Sequence, residues 1–459
     1  MKKIFLYLIL TFFILNKLYA IDTFDAEFDS AFKTEKKEYT KKNKKYFISV
    51  NRNLKFRTYF FFKKTHYKYR LNSQLYNDLL VELNTKIRKD NHITSMTLFA
   101  LAGTDDKTYS YEKIMLNEFR DTDDAMPIVG IKELYMLTTH EKYDITIGKK
   151  IFNPGLSTIY SPANIYDDVL APDPLDPYTL GVWLTQINYY INSNSNYNFI
   201  FIPFISKPKI SSPQSRWSGN YYPTNYENYD EDNNSSIKED KTNHVRALIQ
   251  YKNTIQNVDT SIIIGYGTSI YKILEYTSIK DKYLLTNPSV IYISSGFSTT
   301  YEQFELHGEA YYQYVLNGED DNIISAVIGS TYTLDKWVNN INLEKIISTI
   351  EFTKIIVTKD FTSNKTYKSS KNTREPKKDI LIKIDAKINY KLSIKYLADF
   401  RLSTNNNDSG YYQKIGSSYK FKPNLNGSVY FEFFNGEKDS FYRKWADNNR
   451  IIFQLQYSF

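Results

Sequence analysis

The chain has 459 residues, a formal net charge of +8, five histidines and no cysteine. It has no means of building a disulfide framework or a thiolate metal site, and so mild a basicity over such a length does not point to nucleic acid. His66, His92, His140, His244 and His307 lack the H-x-x-x-H or H-E-x-x-H spacing of a metal site, so neither a metal nor another cofactor is expected.

At the N-terminus, Lys2 and Lys3 precede an apolar run from Ile4 to Leu15, followed by Leu18-Tyr19-Ala20. That layout reads as a secretory signal peptide over residues 1–20. The run is shorter than the ~20 apolar residues of a spanning helix. Residues 21–44, rich in Asp, Glu and Lys, read as a periplasmic lead-in. Later apolar runs, such as Phe199–Ile202 and Ile262–Ile264, are only a few residues long. An exported chain of this kind is either soluble or a β-barrel, because in lipid only helices and closed barrels satisfy their backbone groups.

From residue 45 onward the pattern is alternation, the signature of strands with one apolar and one polar face. Aromatics at 16% suit a sheet. Strands are expected near 46–62, 71–88, 92–102, 128–138, 143–152, 180–191, 197–205, 244–253, 257–269, 288–299, 302–316, 323–334, 337–358, 378–390, 391–402, 411–421, 425–434 and 450–459. Many are as long as the ~9–11 residues of a tilted membrane strand. Tight connections at Lys89–Asn91, Asn192–Asn196, Leu334–Lys336 and Lys422–Asn424 contrast with long polar ones at 103–127, 154–179, 206–243, 359–377 and 435–449. Outer-membrane barrels have short periplasmic turns and long outer loops. The fold expected is all-β: a transmembrane antiparallel up-and-down barrel of about 18 strands, with 16 also open, over residues 45–459.

A ring of that size leaves an aqueous channel. Its polar face then carries an acidic patch, Glu305, His307 and Glu309, and a basic stretch, Lys383, Lys387, Lys395, Arg401, Lys414 and Lys420. Opposed charges of this kind bias ion passage, although every lumen position has to be polar in any case. The 154–179 connection holds five prolines with Asp167, Asp168, Asp173 and Asp176. Proline stiffens it, and both an inward fold that narrows the pore and an external lid are open. In the 206–243 connection, Trp217, Tyr221, Tyr222, Tyr226 and Tyr229 suit sugar stacking or the membrane interface.

Ile131-Lys132-Glu133-Leu134-Tyr135, the strand Ile145–Lys150, then Asn153-Pro154-Gly155, Ser161-Pro162-Ala163-Asn164 and the hairpin ending FIFIPF form a pattern over roughly residues 131–217. It resembles porin-like outer-membrane barrels of the group that includes alginate-export-type channels, which carry an E-x-Y strand, a G-[RK]-[QK] strand, a W-G turn and a P-x-[ND] loop. Asn153-Pro154-Gly155 stands where that group has Trp-Gly. The resemblance implies that Glu133 and Lys150 pair across neighbouring strands and that Asn164 pins the loop. It also implies that the terminal Tyr457 and Phe459 act as an assembly signal read by barrel assembly machinery. The function expected is passive or weakly selective passage of small hydrophilic solutes or ions through an outer membrane. An exporter or channel for an anionic polysaccharide and a surface adhesin or antigen are the alternatives. An enzyme is not expected: His307 beside Glu305 and Glu309 is the one cluster, and no nucleophile is tied to it.

Overall fold

A computed structural model describes residues 46–459 apart from 65–73, 104–127, 204–208, 211–215, 218–244 and short gaps at 172, 174, 270, 272, 278–281, 336–337, 339–342, 362–366, 369, 371–373, 375, 403–407 and 439. The signal peptide and lead-in expected over residues 1–44 lie outside the described residues.

Eighteen strands form one sheet. They are β1 (Tyr46–Phe61), β2 (Leu75–Lys89), β3 (His92–Gly103), β4 (Ile128–Thr139), β5 (Tyr143–Lys150), β8 (Val182–Tyr190), β9 (Ser195–Ile202), β11 (Arg246–Ile255) and β12 (Val258–Thr268). The ring continues with β15 (Ser289–Tyr301), β16 (Phe304–Val315), β17 (Asn322–Leu334), β18 (Lys345–Lys359), β20 (Lys378–Lys387), β21 (Leu392–Arg401), β22 (Gly410–Lys422), β23 (Leu425–Gly436) and β24 (Arg450–Ser458). Six shorter strands lie in the connections: β6 (Asp168–Ala171), β7 (Tyr178–Leu180), β10 (Lys209–Ile210), β13 (Ile273–Thr277), β14 (Lys282–Thr286) and β19 (Tyr367–Lys368).

Each barrel strand pairs antiparallel with the next. The ring closes where β1 meets β24, with Asn53 opposite Ser458 and Phe61 opposite Arg450. Phe459 extends this seam, exchanging backbone hydrogen bonds with Arg52 at 2.8 and 3.0 Å.

Alternation sets the two faces. Ile262 and Ile264, Ile291 and Ile293, Phe453 and Leu455 stand exposed on the outside, the belt a bilayer requires. Outward aromatics gather toward the tight-turn rim, where Phe304 lies against Tyr332 at 4.3 Å between ring centroids and Tyr457 against Phe459 at 5.1 Å. Rings at that level suit the headgroup boundary. The tight turns include two-residue hairpins in which Asp90, Gln256 and Glu302 take φ of 51°, 55° and 53°.

Three expectations change. The turn after β17 is longer than Leu334–Lys336, because β18 begins at Lys345 rather than 337. Val338 is buried there instead of joining a strand, and it accepts the Leu343 N–H at 3.0 Å. The strand expected at 180–191 is broken at Gly181, whose N–H turns aside to Lys132 O at 2.9 Å. The six short strands were not foreseen, since runs of two to five residues carry too little alternation to stand out.

Gly148 shows how closely the wall is drawn. Its φ is 129°, and a Cβ there would lie 2.2 Å from Leu134 O across the β4–β5 pair. Gly148→Ala therefore meets both backbone strain, about 1–3 kcal/mol, and a backbone collision. We expect it to lower the unfolding temperature by several degrees, read from the heat-modifiable shift in electrophoretic mobility of the folded barrel.

Candidate functional site: a loop held across the lumen

The connection from β5 to β8 runs inside the ring. Phe152, Ala163 and Tyr166 pack on Leu184, Ile200, Ile202, Leu248, Ile263, Val290 and Tyr311, which are inward residues of the wall from β8 to β16. Wall positions expected to meet water are apolar here because the loop covers them. The signal was present at Phe199–Ile202 and Ile262–Ile264: a strand apolar on both faces is buried on both.

Two wall carboxylates hold the first stretch of the loop. The N–H groups of Leu156 and Ser157 donate to Glu309 Oε1, the latter at 2.6 Å. Those of Thr158 and Ile159 reach Glu351 Oε1, and that of Tyr160 reaches Glu351 Oε2, each at 2.8 Å. Ser161 Oγ donates to Glu309 Oε2 at 2.5 Å. Five consecutive amides in non-helical backbone have no ladder to join, and charge-assisted acceptors satisfy them. His307 Nε2 lies 2.9 Å from Glu351 Oε1 and supports that carboxylate from below. Gly329 makes room for the pair, since a Cβ there would sit 2.5 Å from Glu351 Cγ and 2.7 Å from His307 Nε2.

Side chains fix the bend that follows. Gly155 N–H donates to Asn164 Oδ1 at 2.8 Å, Phe152 N–H to Asp167 Oδ1 at 2.7 Å, and Arg246 to Ile165 O at 3.1 Å. The β6–β7 hairpin then carries the loop to the wall formed by β23, β24, β1 and β2. Arg450 meets Asp173 at 2.6 Å and Glu432 at 2.5 Å. Arg57 pairs with Asp176 and clamps Asp78 through two contacts of 2.7 Å. Tyr178 donates to Glu82 at 2.6 Å, a carboxylate shared with Lys132 at 2.9 Å. Each of these buried charges thus has a partner, as the low dielectric demands.

Glu305, His307 and Glu309 stand on the inner face of β16, but His307 and Glu309 are buried under the loop instead of facing water. Arg401 and Lys414 are likewise engaged, with Asp379 at 2.9 Å and Glu432 at 2.8 Å. Among the described residues, Glu133 and Lys150 do not pair with each other. Lys150 turns to Gln186 at 3.4 Å and lies over the Tyr135 ring, while Glu133 accepts the Ile151 N–H at 3.1 Å, an amide the loop's entry leaves free. Asn164 lies within the loop bend, and Asp168 is buried at the start of β6. Trp217 is buried among Phe61, Phe434 and Trp445 and so offers no stacking face, while Tyr221, Tyr222, Tyr226 and Tyr229 lie outside the described residues. Lys383, Lys387, Lys395 and Lys420 face the lumen toward the tight-turn rim, where they stay exposed or half-buried. Glu351, Arg57 and Arg450, which do most to anchor the loop, escaped sequence reasoning. A single charged residue at an inward strand position looks like any solvated lumen residue.

This geometry defines a membrane-spanning β-barrel whose lumen is narrowed by its own loop. No family model and no curated protein matches the chain. Among solved structures it is similar to opdK of Pseudomonas aeruginosa, with 9% identity, 90% of this chain and 99% of that one covered, and a TM-score of 0.46. It is also similar to OccD3 (OpdP) of that organism, at 8% identity, 90% and 91% coverage and a TM-score of 0.45. A triple mutant of the Rhodopseudomonas blastica porin gives 10%, 90%, 100% and 0.40.

Two predictions concern the loop. Glu309→Ala with Glu351→Ala strands five amides, so the loop leaves the wall. Limited proteolysis should then cut between 154 and 162 at least tenfold faster than in the unaltered chain. Burial, joined by the nearby charges of Asp168 and Glu133, pushes the Asp167 carboxyl up to about 7 despite the Phe152 N–H. The folded state therefore favours the protonated acid. Its penalty grows as pH rises from the usual carboxylate range to about 7 and is constant above. Asp167→Asn should raise the unfolding temperature at pH 8 and leave it unchanged below pH ~4.

Proposed function

We propose that the chain is an outer-membrane channel for passive passage of small hydrophilic solutes. The observation that carries this reading is the loop itself: held across a closed ring of 18 strands, it narrows the lumen and leaves the tight-turn end of the β20–β22 wall exposed. An enzyme reading has lost its one candidate base, since His307 is buried against Glu351.

Of the loop's acids, Asp173, Asp176 and Asp167 are occupied by Arg450, Arg57 and the Phe152 amide, and Asp168 is buried at the start of β6. Lys395 and Lys420 have no ion-pair partner among the described residues. The tight-turn end of the lumen therefore carries unpaired positive charge on one side, which favours anions weakly. Bilayer lipid meets the outer belt. Tyr457 and Phe459, at the seam, are the proposed handle for barrel assembly machinery.

Planar-bilayer recording tests the proposal. The purified chain should give discrete conductance steps, and the Glu309→Ala/Glu351→Ala variant should give steps at least twofold larger. Folded protein that never conducts overturns the reading. Deleting Phe459 removes its two hydrogen bonds to Arg52 and its ring contact with Tyr457. The heat-modifiable fraction recovered from membranes should fall severalfold.

A further inference from the structure

At the tight-turn rim, residues of β18, β20, β21, β22 and β23, together with the turn between β20 and β21, line an open recess of ≈ 380 Å³. Lys345, Lys387, Lys391, Lys395 and Lys420 line it against a single carboxylate, Asp385. The strand register brings these lysines together. Lys345 lies directly opposite Lys387, and Lys395 opposite Asp385. Lys420 donates its backbone N–H to Lys391 O at 2.8 Å. Like charges directly opposed on one face of a sheet destabilise it. Glu344 at 2.5 Å relieves Lys387, but Lys345, Lys395 and Lys420 have no ion-pair partner among the described residues.

Hydroxyl groups stand between the ammonium groups. Ser393 is paired with Lys387 on one side and Ser418 on the other. Ser418 Oγ lies 2.7 Å from Ser428 Oγ and 3.3 Å from Tyr430 OH. Ammonium groups surrounding neutral donors match an anion with several oxygens, which one carboxylate or a chloride ion fills poorly. The recess lies at the tight-turn mouth, and no residue of the 154–179 loop lines it, so a solute crossing the barrel passes it.

We propose that this recess binds small solutes carrying two or more anionic oxygen groups, phosphates or polycarboxylates, at the tight-turn mouth of the channel. The proposal rests on the channel reading for its role in transport, but binding is measurable without current. The probes are citrate and inorganic phosphate. With the unaltered chain in a planar bilayer, either probe on the tight-turn side should block chloride current saturably, and at least tenfold more potently than from the other side. Citrate and phosphate together show whether carboxylate and phosphate oxygens are both accepted. In the Lys345→Gln/Lys395→Gln/Lys420→Gln variant, with conductance steps retained, the blocking concentration should rise at least tenfold. Calorimetric titration of citrate and phosphate into detergent-solubilised protein should show the same loss. Chloride current that neither probe blocks from either side overturns the site. So does block that the triple variant leaves unchanged. Calorimetric binding abolished by the variant, in protein that never conducts, supports the site and overturns the channel reading instead.

Discussion

In hydrocarbon, a strand edge leaves its N–H and C=O groups without partners, at a cost of several kcal/mol for each group. The pairing of β1 with β24 removes the edge that this sheet would otherwise present. The remaining features follow from that closure. A closed ring puts apolar residues outside and creates an inside, and with this many strands the inside is too wide for wall side chains to fill. The chain fills it in part with its own backbone, which brings the same hydrogen-bond problem indoors. Glu309 and Glu351 solve it by accepting amides that no ladder reaches.

Satisfying backbone with buried carboxylates has consequences for the wall. An ionised carboxylate away from bulk water needs several donors. Here the amides come from the loop, and His307 adds one more contact. Space for this arrangement comes from glycine at 329 and not from a wider ring. On the other side of the lumen the polarity is reversed. The loop supplies the acids Asp173 and Asp176, and the wall supplies the arginines Arg450 and Arg57.

The barrel was legible in the sequence because its cause is local. Residues such as Ile380, Ile382 and Ile384 alternate with Leu381, Lys383 and Asp385 whatever their neighbours are, and the faces follow. The rhythm of short and long connections also survives in the linear chain. The loop's destination did not. Five prolines in 154–179 suggest a stiff segment, but inward or outward depends on partners more than 150 residues away, as Glu309 is from Leu156. Charge misled for the same reason. Lys383 and Arg401 look alike on alternating strands, yet Arg401 is spent on Asp379 under the Phe441 and Tyr442 rings, while Lys383 remains half-exposed. The Glu133–Lys150 pairing failed because a backbone amide at the loop's root, Ile151 N–H, claimed the carboxylate.

The loop is fastened at both ends of its crossing, to β16 and β18 on one side and to β24 and β1 on the other. Mechanically it is a strut. A cylinder one sheet thick flattens easily into an ellipse, because bending between neighbouring strands is soft. A tie between distant walls resists that mode in both directions, since salt bridges oppose stretching and packed rings oppose compression. The cross-section offered to the surrounding lipid, and the spacing of the lysines at the tight-turn rim, then depend on a segment that touches neither.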